Sequence, residues 1–449
     1  MSRIGSSGWM PSVIREGKMK SVQDPLTGLL ARQSFVDAAS HWLGSEKRPR
    51  QRLVIFEVFG LSIINETQGL AWGDKVLQEV ARWLASKFDP ARCVLGRWAG
   101  NKFVVLYEPR GAEAFPGDIH RASLGSLGLG SSLGRQADLT RLHIGFCDSG
   151  SRQIDELLTF ASEALHASAR SVGAWGYRFD EAMHRRLLRR QDIEKDLACA
   201  IEAREIGLWY QPILSSDGAS LHSLEALLRW HHPRQGWTSP EEVVHAAAVM
   251  GMGETLLQHI LQEVCHGLHA LADADPRFEK VPVAMNVSPR EIGDLPLSDI
   301  VLRTLLREGI APRHLRIEIT EESALDSLSS SGQLEALAAA GIAIAVDDFG
   351  TGYSSLAMLG DKYVKQIKID RLLISEFHRS DRRMLLVDSI IHLGNALGME
   401  VVGEGVETLE ELEHLRLLGC SLVQGYYLAR PTPLETLIAQ VRHARLDGG

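Results

Sequence analysis

Cysteine is scarce in this chain and aromatics are few, at five Cys and 6% Phe, Trp and Tyr in 449 residues. Cys93, Cys147, Cys199, Cys265 and Cys420 are odd in number and none sits in a CxxC arrangement. That excludes a disulfide framework and a thiolate metal site, and fits reduced thiols in a cytoplasmic protein. No broad excess of basic charge is present either. The formal net charge is −9, which argues against DNA or an anionic membrane as partner. Long hydrophobic runs are missing: Leu337 to Val346 is the longest, far short of the roughly 20 residues of a membrane helix. Met1 to Lys20 has no apolar core of signal-peptide length. What remains is ordinary globular composition, 45% apolar and 23% charged, at a length that holds two or three domains.

Residues 1 to 20 read as a disordered lead-in. Asp24-Pro25-Leu26-Thr27-Gly28-Leu29 is a turn and cap that opens a helix from Arg32 to Trp42. A strand is expected over Leu53 to Phe59, then a helix over Ala71 to Phe88. Cys93 to Trp98 and Phe103 to Tyr107 form a hairpin about Ala99-Gly100-Asn101-Lys102. Ser123 to Gly134 reads as a flexible connector, since no Gly-Lys-Ser/Thr follows to make it a phosphate loop. A strand over Leu142 to Cys147, a helix over Ile154 to Arg170 and a short strand over Tyr177 to Phe179 close this part.

This order, in a domain bounded at residues 21 and 183, resembles the GGDEF (diguanylate cyclase) domain. The resemblance implies a smaller α+β palm domain and puts Asn65 and Asp74 where the family reads guanine, so both are candidates for binding GTP. The signature itself is broken, Gly-Gly-Asp-Glu-Phe becoming Ala99-Gly100-Asn101-Lys102-Phe103. In the family the Glu holds the metal on GTP; Lys102 puts a cation in its place. Glu57 replaces the family's metal-binding Asp and Phe59 its second acidic residue, while Pro90 and Cys93 replace the inhibitory-site pair. The expectation is a catalytically dead cyclase domain in a regulatory role.

His184 to Glu205 reads as a charged helical linker, and its Arg185 to Arg190 cluster as a solvated face. Beyond it one theme repeats: a short apolar strand ends in a polar residue and a helix-length segment follows. The strand ends fall at Gln211, Glu225, Asn286, Glu318, Asp347, Lys368, Glu404 and Gln424. Eight units in roughly 250 residues predict a (β/α)₈ barrel, with all eight residues at one mouth.

Asp347-Asp348 ends the apolar run Ile342 to Val346. An isolated Asp-Asp is most simply the start of a solvated loop, but adjacent buried carboxylates repel unless a cation or proton intervenes. Glu225, Asn286, Glu318 and Asp347 are hard oxygen donors suited to Mg²⁺ or Mn²⁺, and Asp347 with Asp348 could flank two such ions. Lys368 could hold a water or offset charge on a phosphate. Glu404 could accept or position its proton.

Glu225-Ala226-Leu227-Leu228-Arg229-Trp230 carries a resemblance to the EAL domain over residues 187 to 445, with the linker at 184 to 205 leading into it. Tyr210-Gln211-Pro212-Ile213, Glu318-Ile319-Thr320-Glu321, Asp347 to Leu356, Ile367-Lys368-Ile369-Asp370, Glu404 to Thr408 and Gln424-Gly425-Tyr426 extend it. The family opens cyclic di-GMP to linear pGpG with Mg²⁺ or Mn²⁺. The resemblance therefore implies that activity, substrate contacts from Gln211, Arg229, Asp348 and Gln424, and a homodimer. It makes Glu321, Glu407 and the Gly350-Thr351-Gly352 loop supports that orient the ligands. The competing reading is a receptor that binds cyclic di-GMP without cutting it and signals to a protein partner; such domains lose metal ligands, and none is lost here. Asp348-Phe349-Gly350 lacks the other kinase motifs. His231-His232-Pro233 is expected to be a turn, and Leu256 to Leu271 an amphipathic barrel helix.

Overall fold

The computed structural model describes residues 21–44, 51–109, 141–150, 152–170, 176–218, 220–321, 332–350, 359 and 362–446. The lead-in at 1–20, the connector at 123–134 and loop residues 351–356 therefore lie outside the described residues. The chain divides into two compact units between Leu188 and Arg189, a point inside the helix Glu181–Glu202.

The first unit is a sheet of β1 (Arg52–Phe59), β2 (Cys93–Ala99), β3 (Lys102–Tyr107), β4 (Arg141–Asp148) and β5 (Gly176–Arg178) in the order β2-β3-β1-β4-β5. Central β1 is apolar on both faces because helices cover both. Val54, Phe56 and Val58 pack with Val76, Val80 and Leu84; Leu53 and Ile55 pack with Phe35, Trp42 and Leu157. The helix expected over Ala71 to Phe88 is Leu70–Lys87, and a further helix, Leu61–Gln68, precedes it. Gly69 at φ +87° breaks the two apart, which the helical pattern alone did not reveal.

The second unit is a closed ring of eight strands: β6 (Ile206–Ser215), β7 (Leu221–His232), β9 (Val283–Val287), β10 (Leu315–Thr320), β11 (Ala343–Phe349), β12 (Val364–Ile369), β13 (Glu400–Gly403) and β14 (Leu422–Val423). β8 (Gly236–Thr238) and β15 (Thr432–Pro433) extend it outside the ring. Helices such as Gly253–Ala274 bury Leu257, Leu261, Val264 and Leu268 against the outward residues of the strands.

One strand departs from the expected pattern. β6 runs antiparallel to both of its ring neighbours, and neither β6 nor β7 ends at Gln211 or Glu225. The cause is local. Strands joined by only a few residues must be antiparallel, since a parallel crossover needs a dozen or more. Asp217-Gly218, with Gly218 at φ +73°, supplies that tight turn.

Candidate active site

Alternation aims the site. Leu224, Ala226, Leu228 and Trp230 of β7 face the helices, so Glu225 between them faces the barrel axis. Register sets Gln211 of β6 opposite Glu225, Asn286 beside Glu318, and Asp347 beside Thr320 at the end of β10. Lys368 is the penultimate residue of β12, and Glu404 and Gln424 each follow the last residue of a strand.

These residues converge on the Lys368 ammonium. Its Nζ lies 2.7 Å from Glu404, 2.9 Å from Glu318, and 3.4 Å from both Glu225 and Asp347. Glu225 is further tied: the Asn286 amide donates to one carboxylate oxygen at 2.9 Å and the Gln424 amide to the other at 2.6 Å. Gln424 also donates to Gln211 at 3.1 Å, and Gln211 donates to the Ala429 carbonyl at 3.0 Å.

In a regular strand Asp347 and Asp348 would point to opposite faces. Here the ladder between β11 and β12 shifts register between Val346 and Phe349, and Asp348 sits at φ +55°. Such a bulge re-aims a side chain. As a result Asp347, Asp348 and Glu404 bring one carboxylate oxygen each within 4.8 Å of one another, as do Glu225, Glu318 and Asp347.

One buried cation cannot neutralise this many acids. Burial opposes the charge of Lys368, yet Asp347, Glu225, Glu318 and Glu404 outweigh it and hold the ammonium well above its ordinary value. Burial raises Glu225 too, but Lys368, Gln424 and Asn286 bring it below the usual carboxylate range. The remaining acids carry the excess. Burial, opposed by Lys368 and helped by Glu225 and Asp347, pushes Glu318 up to about 8. Burial, with Asp347 and Asp370, pushes Asp348 up to about 6. Glu404 is likewise raised well above its ordinary value by burial, Asp347 and Glu225, against Lys368.

The donor set fits a divalent ion. Every member is a carboxylate or amide oxygen, the chemistry of Mg²⁺ or Mn²⁺ rather than of a thiolate-binding metal. Glu318 Oε1 is buried with no hydrogen-bond partner among the described residues, an unsatisfied acceptor on a residue of the acid cluster. A cation there would relieve both the orphaned oxygen and the surplus charge.

The supporting residues divide. Glu321 accepts from the Gly350 amide at 3.1 Å and so fastens the end of β11. Glu407 pairs with Arg371 at 2.9 Å, and both line the mouth cavity of about 200 Å³ with Gln211, Glu225, Asp347 and Glu404. Arg229 lies higher on β7, its guanidinium 5.8 Å from the Trp209 ring; burial lowers it, while Tyr426 and Glu225 favour its charge. Arg371 and Tyr426 were not anticipated as mouth residues; Asp370-Arg371 directly after the Lys368 strand was the available signal for the first. His231 and His232 sit on β7 rather than in a turn. His231 meets Trp237 while His232 reaches Asp196 at 3.3 Å, so they share no ligand position.

In the first unit, Asn65 and Asp74 line one cavity of about 530 Å³ with Phe59, Arg97 and Asn101. They come from the helices on either side of Gly69, and a side chain at Gly73 would collide with the Asn65 amide. Lys102 is the register partner of Glu57, with Nζ 3.5 Å from its carboxylate. A side-chain cation therefore sits against Glu57.

Among the described residues, no helix is long and apolar enough to cross a membrane. The EAL domain family matches residues 194–431, and the family described as diguanylate cyclase, GGDEF domain, matches residues 21–173. The chain is 32% identical over 435 residues to the cyclic di-GMP phosphodiesterase NbdA of Pseudomonas aeruginosa, covering 94% of this chain and 54% of that protein. It is 31% identical over 432 residues to the bifunctional diguanylate cyclase/cyclic di-GMP phosphodiesterase MucR of the same organism, covering 95% and 62%. Among solved structures, the PaMucR phosphodiesterase in complex with c-di-GMP is 36% identical with a TM-score of 0.51, covering 55% of this chain and 99% of that one. The chain thus spans between half and two thirds of the length of these curated relatives. It belongs to the EAL domain family, with a GGDEF domain preceding the EAL domain in tandem.

Proposed function

We propose that the second unit hydrolyses cyclic di-GMP to linear pGpG, and that the first unit makes none. The observation that carries this reading is the Lys368 ammonium within 3.4 Å of four carboxylates. It is supported by relatives named for that phosphodiesterase activity.

Glu225, Glu318 and Asp347 would hold one Mg²⁺ or Mn²⁺, and Asp347, Asp348 and Glu404 a second. Bound ions would supply positive charge on the phosphate and an acidified water. The chain's own groups do the rest. Asn286 and Gln424 clamp both oxygens of Glu225 and keep it ionised and oriented. Lys368 holds its carboxylates at fixed separation and offsets charge on the phosphate in the transition state. Glu404, 2.7 Å from Lys368, takes the proton that the attacking water loses. Glu321 keeps the Gly350 amide, and so Asp347 and Asp348, in place. Gln211, Arg229 and Gln424 contact the substrate.

The first unit is read as a regulatory element that binds GTP without converting it, since Asn65 and Asp74 share one cavity while Lys102 occupies the place of a metal ligand. The protein is further read as a cytoplasmic homodimer. The test is full-length protein with cyclic di-GMP and Mg²⁺ or Mn²⁺, with products separated by chromatography and the phosphodiesterase rate repeated with GTP. Formation of pGpG that EDTA abolishes is expected. Tight binding with no cleavage under either ion would make the protein a receptor instead.

A further inference from the structure

The carboxylate cavity measures about 200 Å³, below the ~300–1,000 Å³ of a pocket that encloses a drug-sized ligand. A cyclic dinucleotide whose phosphate lies at Glu225 must therefore extend along surfaces beyond it. The β6–β7 hairpin supplies one. Alternation carries its inward face from Gln211 and Glu225 to Trp209 and Leu227, then to Gly207 and Arg229. His231 follows on the same face of β7, opposite Trp237 on β8.

That face is aromatic and open. Trp209 and Trp237 meet edge to face with centroids 5.4 Å apart, and His231 meets Trp237 at 5.1 Å. Among the described residues no atom lies within 4 Å of where a Gly207 Cβ would stand, which leaves room beside this residue, the register partner of Arg229. Trp237 is 55% exposed. Core packing does not require it there, because Leu228 and Trp230 fill the opposite face of β7. Its backbone is nonetheless fixed: Arg189 donates to the Trp237 carbonyl at 2.8 Å and to the Gln235 carbonyl at 2.6 Å while paired with Glu242. At 3.3–3.4 Å per residue, Trp209 stands about 7 Å along the strand from Gln211, the separation of a base from its own phosphate across one ribose.

The geometry points to a base-stacking wall: Trp237 and Trp209, with Arg229 beside them, receive a purine base of a cyclic dinucleotide whose phosphate lies at Glu225. The inference rests on the phosphodiesterase reading for its substrate. In this edge-to-face pair one indole offers its flat face to a purine while the other borders it edge-on, and a guanidinium beside them suits the acceptor-rich edge of guanine. The wall is thus a specificity element, separate from the chemistry on the carboxylates.

The test compares full-length wild type, Trp237→Ala and Trp237→Phe in two measurements. One is calorimetric binding of cyclic di-GMP in EDTA. The other is kcat/KM in Mn²⁺ for cyclic di-GMP and for bis-p-nitrophenyl phosphate, a diester with no base. Loss of one stacking ring is expected to raise Kd and KM for cyclic di-GMP about ten-fold or more in the alanine variant, and less in Trp237→Phe. The ratio of kcat/KM for cyclic di-GMP to that for the base-free diester should fall by a similar factor. An unchanged Kd, or equal losses on both substrates, would overturn the wall. Failure of wild type to cleave either diester would sink the phosphodiesterase reading instead, and the binding comparison would still decide the wall.

Discussion

Lys368 Nζ and Glu318 Oε2 lie 2.9 Å apart in side chains that are 1% and 0% exposed. An isolated pair of this kind would lower the acid's pKa, yet Glu318 is pushed up to about 8, by burial first and then by Glu225 and Asp347 against Lys368. The sign follows first from burial, and the surplus of acids adds to it. One ammonium serves four carboxylates, and the surplus negative charge must be met by protons or by a cation. Lys368 is the cation that these four carboxylates share.

Lys368→Met is therefore expected to do more than slow turnover. Breaking a buried charged cluster by removing one partner costs about 3–5 kcal/mol, and urea unfolding in EDTA should show a loss of that order. Phosphodiesterase turnover should fall ~100-fold or more, as for loss of a group acting on developing charge. A variant as stable as wild type in EDTA would mean that Lys368 does not balance the cluster.

The ion-free protein should also lose stability as pH rises. Glu318 and Asp348 are raised in the folded state to about 8 and about 6, from ordinary values of 4.5 and 3.8. Between those limits the folded chain holds protons that the unfolded chain has released. Their contribution is fully present below the unfolded values and is lost as pH climbs through the folded ones. Melting curves in EDTA should thus move down between about pH 5 and pH 8, and Mg²⁺ or Mn²⁺, which displaces those protons, should flatten the profile. An EDTA profile that is flat or rises with pH would contradict the charge distribution described here.

Much of this site was legible as residue types at strand ends. Lys368 and Asp347 fall where expected because a buried parallel strand reads as an apolar run with a polar residue near its C-terminal end. The paired orientation of Asp347 and Asp348 was not legible, since it depends on a register shift against β12, a tertiary feature with no local sequence mark. Gln211 and Glu225 were found as residues but assigned to strand ends. The Asp217-Gly218 turn was the missed cue that both belong to one antiparallel hairpin. In the first unit, Gly69 splits what reads as one helical stretch, and only the fold shows that Asn65 and Asp74 then face one cavity.

Among the described residues, Asp347 belongs to both acidic groups that could hold an ion, whereas Glu225 belongs to one. Asp347→Asn should consequently be the more severe change, lowering turnover by orders of magnitude, because stabilisation of phosphoryl charge by an ion is worth several kcal/mol. Glu225→Ala should also cost turnover and should in addition free the Asn286 and Gln424 amides that clamp it. Mn²⁺ titrations of activity would separate the two. Near-normal turnover in Asp347→Asn would remove the basis for a two-ion assignment.

The first unit offers a contrast with the barrel, because its acid Glu57 already has a side-chain ammonium against it. Lys102 faces Glu57 across the β1–β3 ladder at 3.5 Å, so this acid is answered by an ammonium on its own sheet. GTP is accordingly expected to give no cyclic di-GMP with Mg²⁺ or Mn²⁺, and any heat of GTP binding should be insensitive to Mg²⁺. Lys102→Glu inverts the arrangement. It puts two carboxylates opposite each other in register, where like charges repel unless a divalent ion is shared between them. Calorimetry of GTP with that variant should show binding that Mg²⁺ tightens about ten-fold or more, and its melting temperature should rise on addition of Mg²⁺. If Mg²⁺ instead tightens GTP binding to the wild-type protein by as much as to the variant, Lys102 is not standing in for a metal ion.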